Sequence, residues 1–169
     1  LEADARIVRS QRQSVLWCAA VIWLLLAVLW SSAGLATVAL AVNALPVGLV
    51  LALQGYAGVP LNSVTIMVAA ISLGIAVDDT IHFITQWRAE RAAGADAAEA
   101  ARAAWAVKGR PIVFTTLILT GMLGVFWVSG FPPVVHFGLL LAAGLTGALL
   151  AALGLLPAWL SMWDSEAHK

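Results

Sequence analysis

The chain has 169 residues, of which 62% are hydrophobic and 11% are charged, and its mean hydropathy is +0.96. An ordinary soluble domain carries about 25% charged residues, so this composition excludes that class and indicates a membrane protein. The 9 basic and 9 acidic residues cancel, which leaves no net charge to favour a nucleic-acid partner. The single cysteine, Cys18, cannot form an internal disulfide.

Five apolar segments approach the ~20 residues that a helix needs to cross a bilayer. Backbone groups in lipid must be satisfied internally, and the long apolar runs show no period-2 alternation. The predicted fold is therefore an all-α membrane protein, a bundle of five transmembrane helices within residues 14–163. The predicted spans are 14–30, 35–54, 62–87, 112–130 and 134–159.

The only sizeable polar connection lies between the third and fourth spans. Asp96 followed by Glu99 is typical of a capping box at a helix start, and Gly109 with Pro111 is typical of a helix end. These signals predict a short surface helix over about 96–108, lying along the membrane face or serving as a plain connector.

Lysine and arginine placement predicts the orientation, because short cytoplasmic loops carry an excess of these residues. The 88–110 connection holds five of them and the turns at 55–61 and 130–133 hold none, so the connection and the tail at 164–169 are predicted to be cytoplasmic. Residues 1–13 are then an extracytoplasmic lead-in, although they contain three arginines. We expect the chain to be part of a longer protein. A signal peptide at the start is the less favoured alternative, because four more spans follow.

Two adjacent carboxylates, Asp78 and Asp79, interrupt the third span. Each aspartate near the centre of a span makes the free energy of membrane insertion less favourable by ~2.5–3.5 kcal/mol. The ten Val, Ile, Leu and Phe residues over 64–84 make it more favourable by roughly 3–6 kcal/mol in total. The span needs neighbours that shelter the pair. We expect the carboxylates to face a bundle interior or a watery cavity.

An imidazole lies one helical turn from this pair. His82 follows Asp78 by four residues and Asp79 by three, so its ring can reach either carboxylate. Neighbouring carboxylates in a poor dielectric titrate in coupled steps, which suits the uptake and release of a proton. The hydroxyl groups predicted to support such a relay are those of Thr85, Thr115 and Thr116.

Two alternative roles for these side chains are compatible with the sequence. A polar network that holds helices together requires the same residues without proton movement. A metal site of Asp78 and His82 is geometrically possible, but the remaining ligand candidate on another span, His136, lies near the opposite membrane face. No metal or other cofactor is predicted.

Several motifs together resemble the resistance-nodulation-division (RND) superfamily, and more narrowly its MMPL and hydrophobe/amphiphile exporter branch, relatives of Patched-like and sterol-sensing-domain proteins. The likeness covers nearly the whole chain. The residues that carry it are LGIAVDDTIHF at 73–83, GRPI at 109–112, Thr115, Thr116, SGFP at 129–132, Phe137, Gly138, Ser10, Gln11, Ser14, Asn43, Pro46 and PLN at 60–62.

The resemblance implies a proton-driven exporter of hydrophobic or amphiphilic molecules, built from two similar halves of about six helices. This chain would match the last five helices of the C-terminal half, in a bacterial inner membrane. In that family the proton relay lies on the helix that corresponds to the third span, so Asp78 and Asp79 fall on relay positions, with His82 in the accompanying motif. No lysine falls within a predicted span, which favours the lipid-exporting branch.

The expected partners are the lipid bilayer, a hydrophobic or amphiphilic substrate, and the N-terminal half or a second copy; no nucleic acid is expected. A sterol-sensing-like membrane sensor or scaffold that does not pump is the alternative function. The glycines predicted to allow close helix contact are Gly121, Gly124, Gly138 and Gly144.

Overall fold

A computed structural model describes residues 2–59 and 63–162, and the side chains of residues 16–59 and 67–162. The PLN motif at 60–62, position 163 at the end of the predicted bundle and the predicted tail at 164–169 lie outside the described residues. The elements are α1 (Glu2–Trp30), α2 (Ala33–Tyr56), α3 (Ser63–Ala92), α4 (Ala97–Leu123), a 3₁₀ segment (Gly124–Val128), α5 (Pro132–Leu150), a π-helical segment (Ala151–Leu155) and α6 (Leu156–Met162).

The prediction of an all-α membrane fold is confirmed. Within the described residues, four helical segments have the length and composition to cross a membrane, and Leu16–Trp30 is a shorter apolar helix. The lead-in predicted at 1–13 is helical from Glu2 and continuous with the first span. The four long segments are Ala33–Tyr56, Met67–Ala92, Ala97–Val128 and Pro132–Met162.

The prediction of a separate surface helix over 96–108 is wrong at its C-terminal end. Asp96 does cap a helix start, because its carboxylate accepts a 2.7 Å hydrogen bond from the Glu99 N–H. However, α4 then continues through Gly109 and Pro111 to Leu123. A proline inside a helix costs about 3 kcal/mol, whereas opening the backbone in lipid leaves several polar groups unpaired at several kcal/mol each.

The last span also departs from a plain α-helix. At its π-helical segment the N–H of Leu156 donates to the carbonyl oxygen of Ala151, five residues earlier. Pro157 follows directly and has no N–H to offer. The widened turn thus precedes the residue that cannot continue the ordinary hydrogen-bond ladder.

The described residues up to 41 form one compact unit, and those from 42 onward form another. In the first unit, α1 and the start of α2 are joined at Ser31, which has a positive φ of 50°. The Ser32 hydroxyl accepts a hydrogen bond from the Leu35 N–H and so caps α2. The indole of Trp23 donates to the hydroxyl of Thr37, 3.1 Å away, and ties the two helices together.

In the second unit, α3 packs against both α4 and α5, and α4 also packs against α6. A core cluster of Val50, Val68, Leu140 and Leu141 joins the end of α2 to α3 and α5. By contrast, α4 is peripheral. Only 11% of its most apolar stretch is buried, against 50% for α3.

A tight turn sets the register of α3 against α4. Gly94 adopts a φ of 99°, a conformation that favours glycine. The indole of Trp87 donates a 3.1 Å hydrogen bond to the Ala97 carbonyl oxygen, and the Arg91 guanidinium lies 5.9 Å from the Trp87 ring centre. These contacts link the last turn of α3 to the first turn of α4 and make the two helices a hairpin.

Candidate functional site

A cavity of about 510 Å³ lies between α3 and α4, midway along the hairpin. One wall belongs to α3 and holds both carboxylates and the imidazole of the predicted relay. The other wall belongs to α4 and mixes polar with apolar side chains. The lining residues are Gly74, Ile75, Asp78, Asp79, His82, Val107, Lys108, Pro111, Ile112, Thr115 and Leu119.

The two carboxylates occupy different environments although they are adjacent in the chain. The side chain of Asp78 is 71% exposed, whereas Asp79 retains only 7% of its accessible surface. Successive residues on an α-helix point about 100° apart, so one carboxylate is turned outward and the other inward. Within this chain, Asp79 is the sheltered member of the pair.

The imidazole of His82 lies beside the outward carboxylate. Its Nε2 atom is 3.7 Å from Oδ1 of Asp78, at the spacing of one helical turn that the sequence predicts. The pair is an ion pair only when the ring is protonated, and at this distance it is not a direct hydrogen bond. His82 is itself 60% exposed.

These outward residues belong to a longer exposed line along α3, which we call the open stripe. Its members follow one another at intervals of three or four residues, so they share one face of the helix. The opposite face, which includes Ser72, Thr80 and Phe83, is fully buried. The open stripe consists of Met67, Ala70, Gly74, Asp78, His82 and Thr85.

The three threonines predicted to support the relay are separated by the fold. Thr115 lines the cavity, and its hydroxyl lies 3.0 Å from the Ile112 carbonyl oxygen and 3.1 Å from that of Pro111. Thr116 is buried but lies outside the cavity lining, and Thr85 lies on the open stripe. The structure therefore brings only Thr115 together with the carboxylates.

Sequence analysis missed Lys108 as a cavity residue. The expected helix end at Gly109 placed this lysine on a surface connector, but α4 continues and carries it to the cavity wall, half-buried. The available signal was its spacing, because Lys108, Pro111, Thr115 and Leu119 recur every three or four residues.

The four glycines predicted to allow close packing divide into two groups. A Cβ atom at Gly144 would collide with the Ser72 hydroxyl and lie 2.9 Å from a methyl carbon of Val50, and one at Gly138 would lie 2.8 Å from Cβ of Phe126. Gly121 and Gly124 have no such neighbour within 4 Å among the described atoms. The difference follows from the peripheral position of α4, which holds Gly121, and of the 3₁₀ segment after it, which begins at Gly124.

A buried hydrogen bond joins α3 to α2 on the side of α3 that faces away from the open stripe. The Thr80 hydroxyl lies 3.0 Å from the Asn43 side-chain oxygen and 2.9 Å from the Ala76 carbonyl oxygen. Thr80 directly follows Asp79, so this contact between α2 and α3 helps to set the rotation of α3 at the carboxylates. Asn43 appeared in the sequence only as part of the resemblance, without an assigned role.

Among the described residues, no group of three His, Cys, Asp or Glu side chains is placed to hold a metal ion.

Comparison with family models gives one match, to the MMPL family, over residues 4–166. The chain belongs to the MMPL family. Neither the curated proteins nor the solved structures yield a match. As a member of the MMPL family with several membrane-length helices, the chain is a multi-pass membrane protein of the RND/MMPL transporter or sensor type.

Proposed function

We propose that the chain is the membrane portion of a proton-driven exporter of hydrophobic or amphiphilic, lipid-like molecules in a bacterial inner membrane. Asp78 and Asp79 exchange the coupling proton, with His82 and Thr115 as supporting groups. The 88–110 connection and the C-terminus face the cytoplasm. The C-terminal half of an exporter would supply these helices, and the N-terminal half or a second copy would complete it.

One observation carries this proposal: the two carboxylates of α3 line a 510 Å³ cavity at helix mid-height, together with an imidazole and a hydroxyl. Ionisable residues within membrane spans are rare and usually mark an ion or proton pathway. A purely structural network would be expected to pair its carboxylates inside the bundle. Here Asp78 instead projects outward, 71% exposed.

The composition of the open stripe favours a second half, or a second copy, packed against this face of α3. It carries a carboxylate and an imidazole that would be costly to leave in contact with lipid. Small residues, Ala70 and Gly74, lie on the same line and permit close approach of another helix. A second half would therefore cover Asp78 and His82, while Asp79 stays in the cavity of its own half.

The coupling energy is adequate for a conformational cycle. Each proton that crosses the membrane supplies ~2.3 kcal/mol per 100 mV, which is enough to bias an equilibrium of a few kcal/mol between two arrangements. Protonation removes the repulsion between Asp78 and Asp79 and the attraction of Asp78 to a cation on the partner. We propose that α3 then shifts against the other half.

The test uses the full-length protein in pyranine-loaded proteoliposomes, with Asp78→Asn and Asp79→Asn as separate variants. Proton entry under an imposed pH gradient and expulsion of a fluorescent fatty acid should both fall at least about 100-fold, since a general acid–base group contributes ~10²–10⁴. Asp96→Asn is the matched control, because it removes a carboxylate but retains a helix cap.

Proton-coupled expulsion that persists in both Asn variants would refute the relay. A folded wild-type protein that binds the fatty acid but moves neither it nor protons would instead favour the sterol-sensing-like sensor. The control separates these outcomes from a general effect of lost negative charge.

A further inference from the structure

The sheltered carboxylate lacks a cation in direct contact. Asp79 is 7% exposed, and the described part of the chain contains no ion pair to its carboxylate. A buried ionised carboxylate costs several kcal/mol unless it is paired with a cation or held by hydrogen bonds. His82 also lines the cavity, but its ring is 60% exposed and lies 3.7 Å from the outward carboxylate, Asp78.

The hairpin register brings one lysine to the height of this carboxylate. Asp79 lies 13 residues before the end of α3 at Ala92, and Lys108 lies 11 residues after the start of α4 at Ala97. At ~1.5 Å per residue these positions stand ~20 Å and ~17 Å from the turn that joins the helices. Both residues also line the same cavity.

We propose that Lys108 is the counter-ion that this chain supplies to the Asp78–Asp79 pair across the α3–α4 cavity. The ammonium group stands on a flexible four-carbon stem, so it can cross part of the cavity without a change in the backbone. In this structure Lys108 is half-buried and forms no ion pair with a described residue. The contact forms when the carboxylates are ionised and is released when they are protonated.

Three other cations of the 88–110 connection are placed differently. Arg110 is exposed and does not line the cavity, although it is only two residues from Lys108. Arg102 lines a separate groove between α4 and α6, and Arg91 lies over the Trp87 ring at the turn. The charged or titratable groups that line the cavity are Asp78, Asp79, His82 and Lys108.

This inference deepens the proposed function, and its consequence for proton coupling rests on that proposal. The charge pairing itself does not. An exporter that uses the pair, and a sensor that merely contains it, would show the same coupling between Lys108 and the carboxylates. The experiment therefore measures the pairing by stability and cross-linking, and leaves transport as a separate readout.

The first measurement is a double-variant cycle on the full-length protein in bicelles at pH 8, with unfolding followed by steric trapping. Lys108→Met is combined with Asp78→Asn and, separately, with Asp79→Asn. Each substitution changes the equilibrium constant of unfolding by some factor. In at least one of the two cycles we expect the factor for the double variant to differ about fivefold or more from the product of the factors for the two single variants, as is found for residues that interact. Lys108→Arg should retain most of the wild-type stability because it keeps the charge.

The matched control replaces Lys108→Met with Arg110→Met, in the same two cycles. In these control cycles the factor for the double variant should equal the product of the two single factors, because Arg110 does not line the cavity. Equal coupling for both cations, or none for Lys108, overturns the proposal. If Lys108→Met does not accumulate in the membrane, Lys108→Gln takes its place.

The second measurement asks directly for contact. Dicyclohexylcarbodiimide activates a carboxyl group; attack by the lysine amine then forms an amide bond and releases the dicyclohexylurea. Mass spectrometry of the digested wild-type protein should find Lys108 joined to Asp78 or Asp79, and the product should disappear in Lys108→Arg. If neither this product nor the coupling is found, Lys108 is not the counter-ion, whether or not the protein transports protons.

Discussion

The side-chain hydroxyl of Thr80 donates a 3.0 Å hydrogen bond to the side-chain oxygen of Asn43, and both residues are buried. This contact joins α2 to α3 at the residue that follows the Asp78–Asp79 pair. Since α3 must hold one carboxylate in the cavity and the other on the open stripe, its rotation matters, and a buried polar contact opposes rotation.

Thr80→Val tests this contact because it keeps the shape of the side chain and removes the hydroxyl. We expect the free energy of unfolding to fall by about 1 kcal/mol, near the value of hydrogen bonds between membrane helices. Thr146→Val is the control, since the Thr146 hydroxyl donates to the Ala142 carbonyl oxygen of its own helix. Equal effects of the two changes, measured by steric trapping, would mean that the bond to Asn43 adds nothing.

Gly144→Ala should destabilise the bundle by about 1–3 kcal/mol, the usual cost of forcing atoms into a packed core. A Cβ atom there would meet the Ser72 hydroxyl and Val50. Gly121→Ala adds the same atom where nothing lies within 4 Å, so it should be neutral or stabilise by up to ~1 kcal/mol through helix propensity. The comparison is made by thermal denaturation in nanodiscs. A tolerated Gly144→Ala would show that this contact relaxes easily.

The predicted orientation is tested by cysteine labelling at the α3–α4 turn. Ala93 is exposed in that turn, and Cys18 is first replaced by serine. A membrane-impermeant maleimide should label Ala93→Cys in inverted membrane vesicles and leave it unlabelled in right-side-out spheroplasts. The reverse pattern would contradict the orientation predicted from the arginine and lysine distribution.

The proposed partner surface is tested on two faces of α3, again with Cys18 replaced. Gly74→Cys on the open stripe should form a disulfide with cysteines introduced in the corresponding helix of the other half or of a second copy. Ser72→Cys is the matched control, because Ser72 lies two residues away and is fully buried. Non-reducing gels and mass spectrometry read the products. Cross-links at Ser72 but not at Gly74 would mean that another face is covered.

The bounds of the helices show how far local sequence signals reach. The Asp96 cap and the turn at 55–61 are local features, and the structure has a helix cap at Asp96 and, two residues past the end of α2 at Tyr56, a positive φ of 62° at Gly58. Pro111 is also a local signal, yet α4 passes through it. Its meaning depends on whether the surrounding medium can satisfy an opened backbone, and a segment in lipid cannot open cheaply.

In the candidate site, too, some relations between residues follow from the sequence and others depend on the tertiary structure. Sequence alone determined that two carboxylates and His82 share adjoining turns of one apolar helix, because those relations follow from 3.6 residues per turn and from the cost of charge in lipid. Tertiary structure decided that Asp79 is sheltered while Asp78 is exposed, and that Thr115 rather than Thr116 faces them. It also decided that Lys108 stands across the cavity. These relations depend on the rotation and register of α3 against α4, which are set by the turn at 93–96 and by packing between residues far apart in the chain.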